Sequence, residues 1–156
     1  MANKKIINAT PVESDGIEFK SKFEEKVYNI LKDNGLQPEY ESQSFILWEG
    51  FKPTVPFYTK SRKGELKLNQ NKLKDITYTP DFIFTFLDQT IYVEVKGYAN
   101  DVFPYKFKMF RKILEDMPGN HEVWEIFTKR QLLECISNLK KSLGMSQNQN
   151  TEQTQH

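Results

Sequence analysis

Thr77-Tyr78-Thr79-Pro80-Asp81-Phe82-Ile83-Phe84, followed by Ile91-Tyr92-Val93-Glu94-Val95-Lys96-Gly97, decides how this chain is read. Both stretches are rich in β-branched and aromatic residues, and the polar segment Leu87-Asp88-Gln89-Thr90 between them reads as a tight turn. The pair therefore predicts two antiparallel strands. Residues two apart in a strand point to the same face, so Glu94 and Lys96 project side by side. Across the pair, Asp81 reaches the same corner of the sheet, while Val93 and Val95 turn into the core.

Two carboxylates and an ammonium converging on one spot suit a divalent cation held against a phosphate. Hard Mg²⁺ takes carboxylate oxygens and keeps positions for water and phosphate oxygens. In that arrangement Asp81 and Glu94 serve as ligands together with the main-chain carbonyl of Val95, and Lys96 offsets charge on the phosphorus. The alternative is a solvated cross-strand Glu–Lys pair, which contributes only roughly 0.2–1 kcal/mol.

Upstream, Phe19, Phe23, Val27 and Ile30 or Leu31 recur at helical spacing, and Asn34-Gly35 supplies a left-handed stop. Pro38-Glu39-Tyr40-Glu41 then begins an extended segment. Ser21 and Glu24 form Ser-x-x-Glu, which on pattern alone is a capping box at the helix start.

The strings SKFEEKVYNILKDNGLQPEYE, TYTPDFIF and IYVEVKG, in this order, resemble the phage endonuclease I family. These are four-way-junction resolvases within the PD-(D/E)xK nuclease superfamily. The likeness spans Ser21 to Glu41 and Thr77 to Gly97, about a quarter of the chain. It implies an α/β fold with a PD-(D/E)xK, restriction-endonuclease-like core, a mixed central β-sheet flanked by helices. It also implies catalytic residues Glu24, Asp81, Glu94 and Lys96, with Glu24 joining Asp81, Glu94 and Val95 at the metal. Mg²⁺ is the implied cofactor, with Mn²⁺ able to substitute. DNA, branched as at a Holliday junction, is the implied partner, acted on by a homodimer. The segment between Glu41 and Thr77 is longer than that family needs. Three other readings stay open: a nickase or genome-processing nuclease on ordinary duplex, a metal-free DNA-binding module, and an RNA-directed nuclease.

The formal net charge of the whole chain is only +1, so this is no uniformly basic nucleic-acid binder. The charge is segregated instead. Residues 60–74 carry six Lys or Arg against one Glu: Lys60, Arg62, Lys63, Lys67, Lys72 and Lys74. Such a stripe is enough to hold a duplex, which carries about one negative charge per 1.7 Å. Its alternative is a solvated hairpin loop, although Leu66, Leu68 and Leu73 suggest partial strand order. Lys106 and Lys108 are further phosphate-contact candidates, or else lysines that solubilise a helix.

One cysteine, Cys135, excludes an internal disulfide framework and fits a reducing compartment. Its apolar neighbours suggest core packing. Only two histidines occur, which removes His-metal nucleases, zinc fingers and Ser-His hydrolases; His121 reads as a surface turn residue. No apolar run of about 18 residues and no secretory leader is present, so the expected setting is the cytoplasm, on the resemblance that of a phage-infected bacterium.

The remaining sequence completes the expected α/β layers. Pro104 suits a first helical turn, with Phe103, Phe107, Phe110 and Leu114 on one face. Val123 to Phe127 reads as a core strand. Thr128-x-x-Gln131 caps a final helix whose Leu132, Leu133, Ile136 and Leu139 face inward. The chain thus divides into one domain over 1–143 and a polar tail over 144–156 expected to be disordered.

Overall fold

The computed structural model describes residues 10–97 and 102–152, over 143–152 by backbone alone. In chain order the described elements are β1 (Val12–Ser14), β2 (Ile17–Phe19), α1 (Lys22–Asp33), β3 (Glu39–Tyr40), β4 (Phe45–Trp48), β5 (Tyr58–Lys60), β6 (Leu66–Leu68), β7 (Ile76–Tyr78), β8 (Phe82–Phe86), β9 (Gln89–Val95), α2 (Phe103–Asp116), β10 (Asn120–Ile126) and α3 (Lys129–Glu152).

A four-stranded sheet in the order β10-β9-β8-β3 organises them. The β8–β9 and β3–β8 pairs are antiparallel and β9–β10 is parallel, so the sheet is mixed. Parallel neighbours need a crossover, and α2 supplies it. Alternation along β9 separates two cores. Ile91, Val93 and Val95 face a cluster that includes Val27 and Leu31 of α1 and Leu132, Ile136 and Leu139 of α3. Tyr92 faces the opposite cluster, with Phe110 and Leu114 of α2 and Phe45 and Tyr78 of β4 and β7. Phe19, Phe82 and Phe110 are completely buried, each contributing about 1.5–3 kcal/mol by the area it removes from water. The mixed α/β expectation is met, with helices on both faces.

Local signals account for most boundaries. The Ser21 hydroxyl accepts from Glu24 N at 3.1 Å to start α1, and Gly35 at φ +79° follows its end. Thr128 Oγ1 accepts from Gln131 N at 3.2 Å, and Gln131 Oε1 reaches back to the Phe127 and Thr128 amides. Asp15 and Gly16, at φ +52° and +75°, form the β1–β2 turn, an Asp-Gly signal the sequence reading passed over.

Five expectations are corrected. Phe19 ends strand β2 and does not lie on the first helix, although it packs beneath α1 in the same core. Gln89 and Thr90 belong to β9, because the turn closes on Leu87 and Asp88 alone, with Leu87 at φ +54°. His121 lies in β10, half-buried, with its ring against Tyr92, since pairing with Thr90 extends that strand. Leu133 is 42% exposed, because its neighbours Leu132 and Ile136 already take the inward face. The backbone of α3 is helical to Glu152, into the segment expected to be a disordered tail. A helix nucleated on a packed turn extends by one hydrogen bond per residue, however polar the residues it adds. Residues 153–156 lie outside the described residues.

Residues 45–78 leave the sheet as a long ribbon. β4 and β7 pair at its root and β5 and β6 at its tip, and between them Leu73 N donates to Phe51 O and Asn69 N to Phe57 O, both at 2.8 Å. The two strands crowd at Gly50, where a Cβ would run into the Leu73 carbonyl and sit 2.6 Å from the Lys74 carbonyl carbon. Gly50→Ala should therefore part the ribbon at a cost on the order of 1–3 kcal/mol. Limited proteolysis between 46 and 76 should accelerate roughly fivefold or more while the core keeps its melting temperature. Unchanged cleavage would mean that the strands do not meet this closely in solution.

Candidate active site

Asp81 follows Pro80, whose side chain is fully buried and fixes the approach to β8. Phe82 pairs with Val93, and the same antiparallel register carried one residue further sets Asp81 opposite Glu94. Asp81 Oδ2 accepts from Val95 N at 2.6 Å. Val95 thus enters the site through its amide, and the carbonyl expected as a ligand belongs to the same residue. Glu94 Oε1 accepts from Lys96 Nζ at 2.8 Å, with the two side chains only 12% and 7% exposed. The second oxygen, Oε2, accepts from the Tyr78 hydroxyl. The Lys96 ammonium also lies 2.8 Å from the centre of the Phe103 ring, at the start of α2.

The charges in this corner oppose one another. Burial, then Glu94 and Glu24, push the Asp81 carboxyl up to about 8, against the Val95 amide and the Lys96 charge that pull it down. Tyr78 is held well above its ordinary range by burial and by Glu94.

Glu24 does not form the full capping box. Its amide takes the Ser21 cap, but its carboxylate turns away from Ser21. Oε2 accepts from the Lys20 amide at 3.1 Å and the Tyr40 hydroxyl at 2.7 Å, and the residue is 8% exposed. Burial and Glu24 raise the Tyr40 hydroxyl above its usual range. Beside it the Lys20 ammonium pairs with Glu41. Burial lowers the proton affinity of Lys20, but Glu41, then Asp81 and Glu24, raise it overall. Among the described residues, no three Asp, Glu, His or Cys side chains gather into a group that could hold a metal by themselves.

Four contributors went unread in the sequence: Lys20, Tyr40, Tyr78 and Phe103. Tyr40 and Tyr78 are each 16 residues from the carboxylate they bond, and only Tyr78 carried a signal, as the tyrosine of the Thr-Tyr-Thr-Pro-Asp run. The cations Lys60, Arg62, Lys63, Lys67, Lys72 and Lys74 are all exposed and lie on the ribbon, the first four at its tip and Lys72 and Lys74 between tip and root. Lys106 and Lys108 are on α2, the first half-buried and the second exposed. Cys135 is partly buried against the α1–α3 core, as expected from its neighbours. A separate cavity of 840 Å³ between α2 and β10, lined by Arg111, Glu115, Asn120 and Glu125 among others, does not include Asp81, Glu94 or Lys96. The chemistry-bearing side chains therefore sit outside that cavity.

Fold and site together define a mixed α/β protein with a carboxylate–lysine corner where β8 and β9 meet and a basic ribbon rooted beside it. Residues 4–127 match the family described as protein of unknown function (DUF1064), and the chain belongs to it. No curated protein matches the chain, and neither does any solved structure. Among the described residues, no helix is long and apolar enough to cross a membrane.

Proposed function

We propose that this chain is a Mg²⁺-dependent DNA endonuclease on a PD-(D/E)xK core, acting as a homodimer on branched DNA such as four-way junctions. The observation that carries the reading is the corner itself. Asp81 is held opposite Glu94 by the Val95 amide, and Lys96 touches Glu94 from the same face. The order α1, β3, β8, β9, α2, β10, with a mixed sheet between helices, supports the core assignment.

The donor set suits a hard cation. Burial first, and the Glu94 charge next, raise the Asp81 carboxyl to about 8, and a divalent ion would relieve the repulsion between the two carboxylates. Asp81, Glu94 and the Val95 carbonyl would hold it, leaving room for the waters Mg²⁺ retains. When bound, Mg²⁺ acidifies water and neutralises charge on the phosphodiester. Lys96 pairs with Glu94 and supplies positive charge beside the reacting phosphate. Tyr78 fixes the other Glu94 oxygen, and Phe103 positions the Lys96 ammonium. Glu24 acts from further off, through its negative field at Asp81. The expected setting remains the cytoplasm of an infected bacterium.

Glu24→Gln separates that role from helix capping. Its amide oxygen can still accept from Lys20 and Tyr40, and the Ser21 cap is untouched, so the melting temperature should barely move. Metal affinity should fall about 10- to 100-fold, the range seen for supporting groups around a metal. Calorimetric Mg²⁺ titration beside a thermal melt decides. A lowered melting point with intact affinity would assign Glu24 to structure alone.

The deciding assay for the function is cleavage of a labelled four-way junction beside matched linear duplex, in Mg²⁺ and in EDTA. Paired nicks confined to the junction and lost in EDTA support the proposal. Uniform nicking makes the protein a duplex nickase, and binding without cleavage makes it an architectural module. Paired incision also requires two sites related by a two-fold axis. A monomer by sedimentation at micromolar concentration, free and DNA-bound, would remove it.

A further inference from the structure

The ribbon at 45–78 carries an apolar load that the fold does not cover. Ten of the sixteen exposed large hydrophobic side chains among the described residues lie between Ile46 and Ile76. They include Leu66 at 80% exposure and Phe57 and Tyr58 at 59% each. A two-stranded ribbon is marginal by itself in water, and contiguous exposed apolar surface marks a binding face.

Charge identifies the occupant. Residues 45–78 carry seven Lys or Arg against three Asp or Glu, although the whole chain is almost neutral. A second ribbon packed on this one by two-fold symmetry would bring cation onto cation. A polyanion that also offers flat apolar faces satisfies both properties. At the tip, Tyr58 pairs with Leu68 and Lys60 with Leu66. Strand alternation sets these four on one face, so ring, methyl groups and ammonium share a single surface. Bases within a duplex are hidden by their own stacking, whereas unpaired bases present faces that aromatic side chains stack on.

The root of the ribbon leads to the carboxylates. Tyr78, the last residue of β7, donates to Glu94, and Thr79-Pro80-Asp81 follows directly. From Tyr78 to Leu66 an extended strand spans about 40 Å. A nucleotide strand lying along the ribbon therefore runs into the corner where Asp81 and Glu94 meet.

We propose that the ribbon binds unpaired DNA nucleotides by stacking bases on its exposed aromatic side chains, Phe57 and Tyr58 at the tip and Trp48 nearer the root. This rests on the nuclease reading only for what happens at the corner; the binding face stands on the ribbon itself. Unpaired bases then become the feature that brings branched or interrupted DNA to the site in preference to continuous duplex.

Trp48 is a built-in reporter, since the chain has two tryptophans and Trp124 is 4% exposed against 40% for Trp48. The test uses full-length protein carrying Asp81→Asn, so that strands stay uncut, titrated in Mg²⁺ with a mixed-sequence single-stranded oligodeoxynucleotide and with the matched blunt duplex. The single strand should quench the fluorescence, and Trp48→Phe should abolish the signal, which assigns the quenching to Trp48 and not to the buried Trp124. The double change Phe57→Ser/Tyr58→Ser, at exposed positions, should weaken single-strand binding about 5- to 150-fold per stacked base lost. Duplex affinity should change less than about twofold. Duplex binding with no preference for, or quenching by, the single strand overturns this inference and leaves the nuclease reading standing. Absence of binding to either form overturns both. A dimer that the double change converts to monomer assigns the face to a second copy and also overturns it.

Discussion

Asp81→Asn and Glu94→Gln are each expected to reduce Mg²⁺-dependent cleavage by at least about 10³-fold, the upper end of what loss of a single electrostatic contributor costs. Neither should unfold the protein. Asparagine at 81 can still accept from the Val95 amide, and glutamine at 94 can still accept from Lys96 or Tyr78. Stability should in fact move the other way for Asp81→Asn. The Asp81 carboxyl rises from 3.8 to about 8 on folding, through burial first and the Glu94 charge next. Between those values the folded protein keeps a proton that the unfolded chain releases. Stability of the metal-free protein therefore falls as pH climbs from about 4 to about 8, and the asparagine variant lacks this decline. Urea melts at several pH values, without metal, should show wild type losing ground to Asp81→Asn toward pH 8. Saturating Mg²⁺ should flatten the wild-type dependence, because the cation takes the place of the proton. Parallel curves for the two proteins would remove the charge conflict, and near wild-type cutting by Asp81→Asn would remove the site.

Lys96→Ala has the second largest expected effect, on both stability and chemistry. Lys96 and Glu94 are buried together, and removing one member of a buried pair leaves an uncompensated charge, at about 3–5 kcal/mol. The Phe103 ring loses its cation as well. Cleavage should be lost, yet Mg²⁺ binding should survive, since both carboxylates remain. The metal-free variant should therefore be strongly destabilised, and millimolar Mg²⁺ should restore much of the loss by binding only the folded state. Denaturant titrations with and without Mg²⁺ measure this. Lys96→Met, which refills the volume, guards against a variant that fails to fold. Equal destabilisation in the two conditions would show that no cation binds beside Glu94.

The corner was legible because its parts lie close in sequence. Asp81 and Glu94 are separated by one hairpin, so period-two alternation and a tight turn place them opposite each other without long-range information. Lys96 follows from the same alternation. The helix of Glu24 was equally plain from its apolar spacing, Ser21 cap and Gly35 stop. What Glu24 touches was not. Whether its carboxylate returns to the helix start or reaches Tyr40 depends on where β3 docks, and the helix pattern carries no record of that. Tyr78 and Phe103 stayed hidden for the same reason. Their rings announce core, and contact with Glu94 and Lys96 arises only once β7 and α2, respectively, dock beside β9.

The sequence by itself determined the local elements, the apolar faces of α1, α2 and β9, and the identity of the groups that carry charge. Those follow from periodicity, capping and turn chemistry, which act over a few residues. Tertiary structure alone decided that the basic run 60–74 would stand off the sheet with its leucines and its neighbouring aromatics uncovered. An alternating polar and apolar run reads the same whether its apolar side meets a core or water. Only the packing of all the other elements shows that no described part of the fold is left to cover it, because burial is a property of the whole chain and not of the segment.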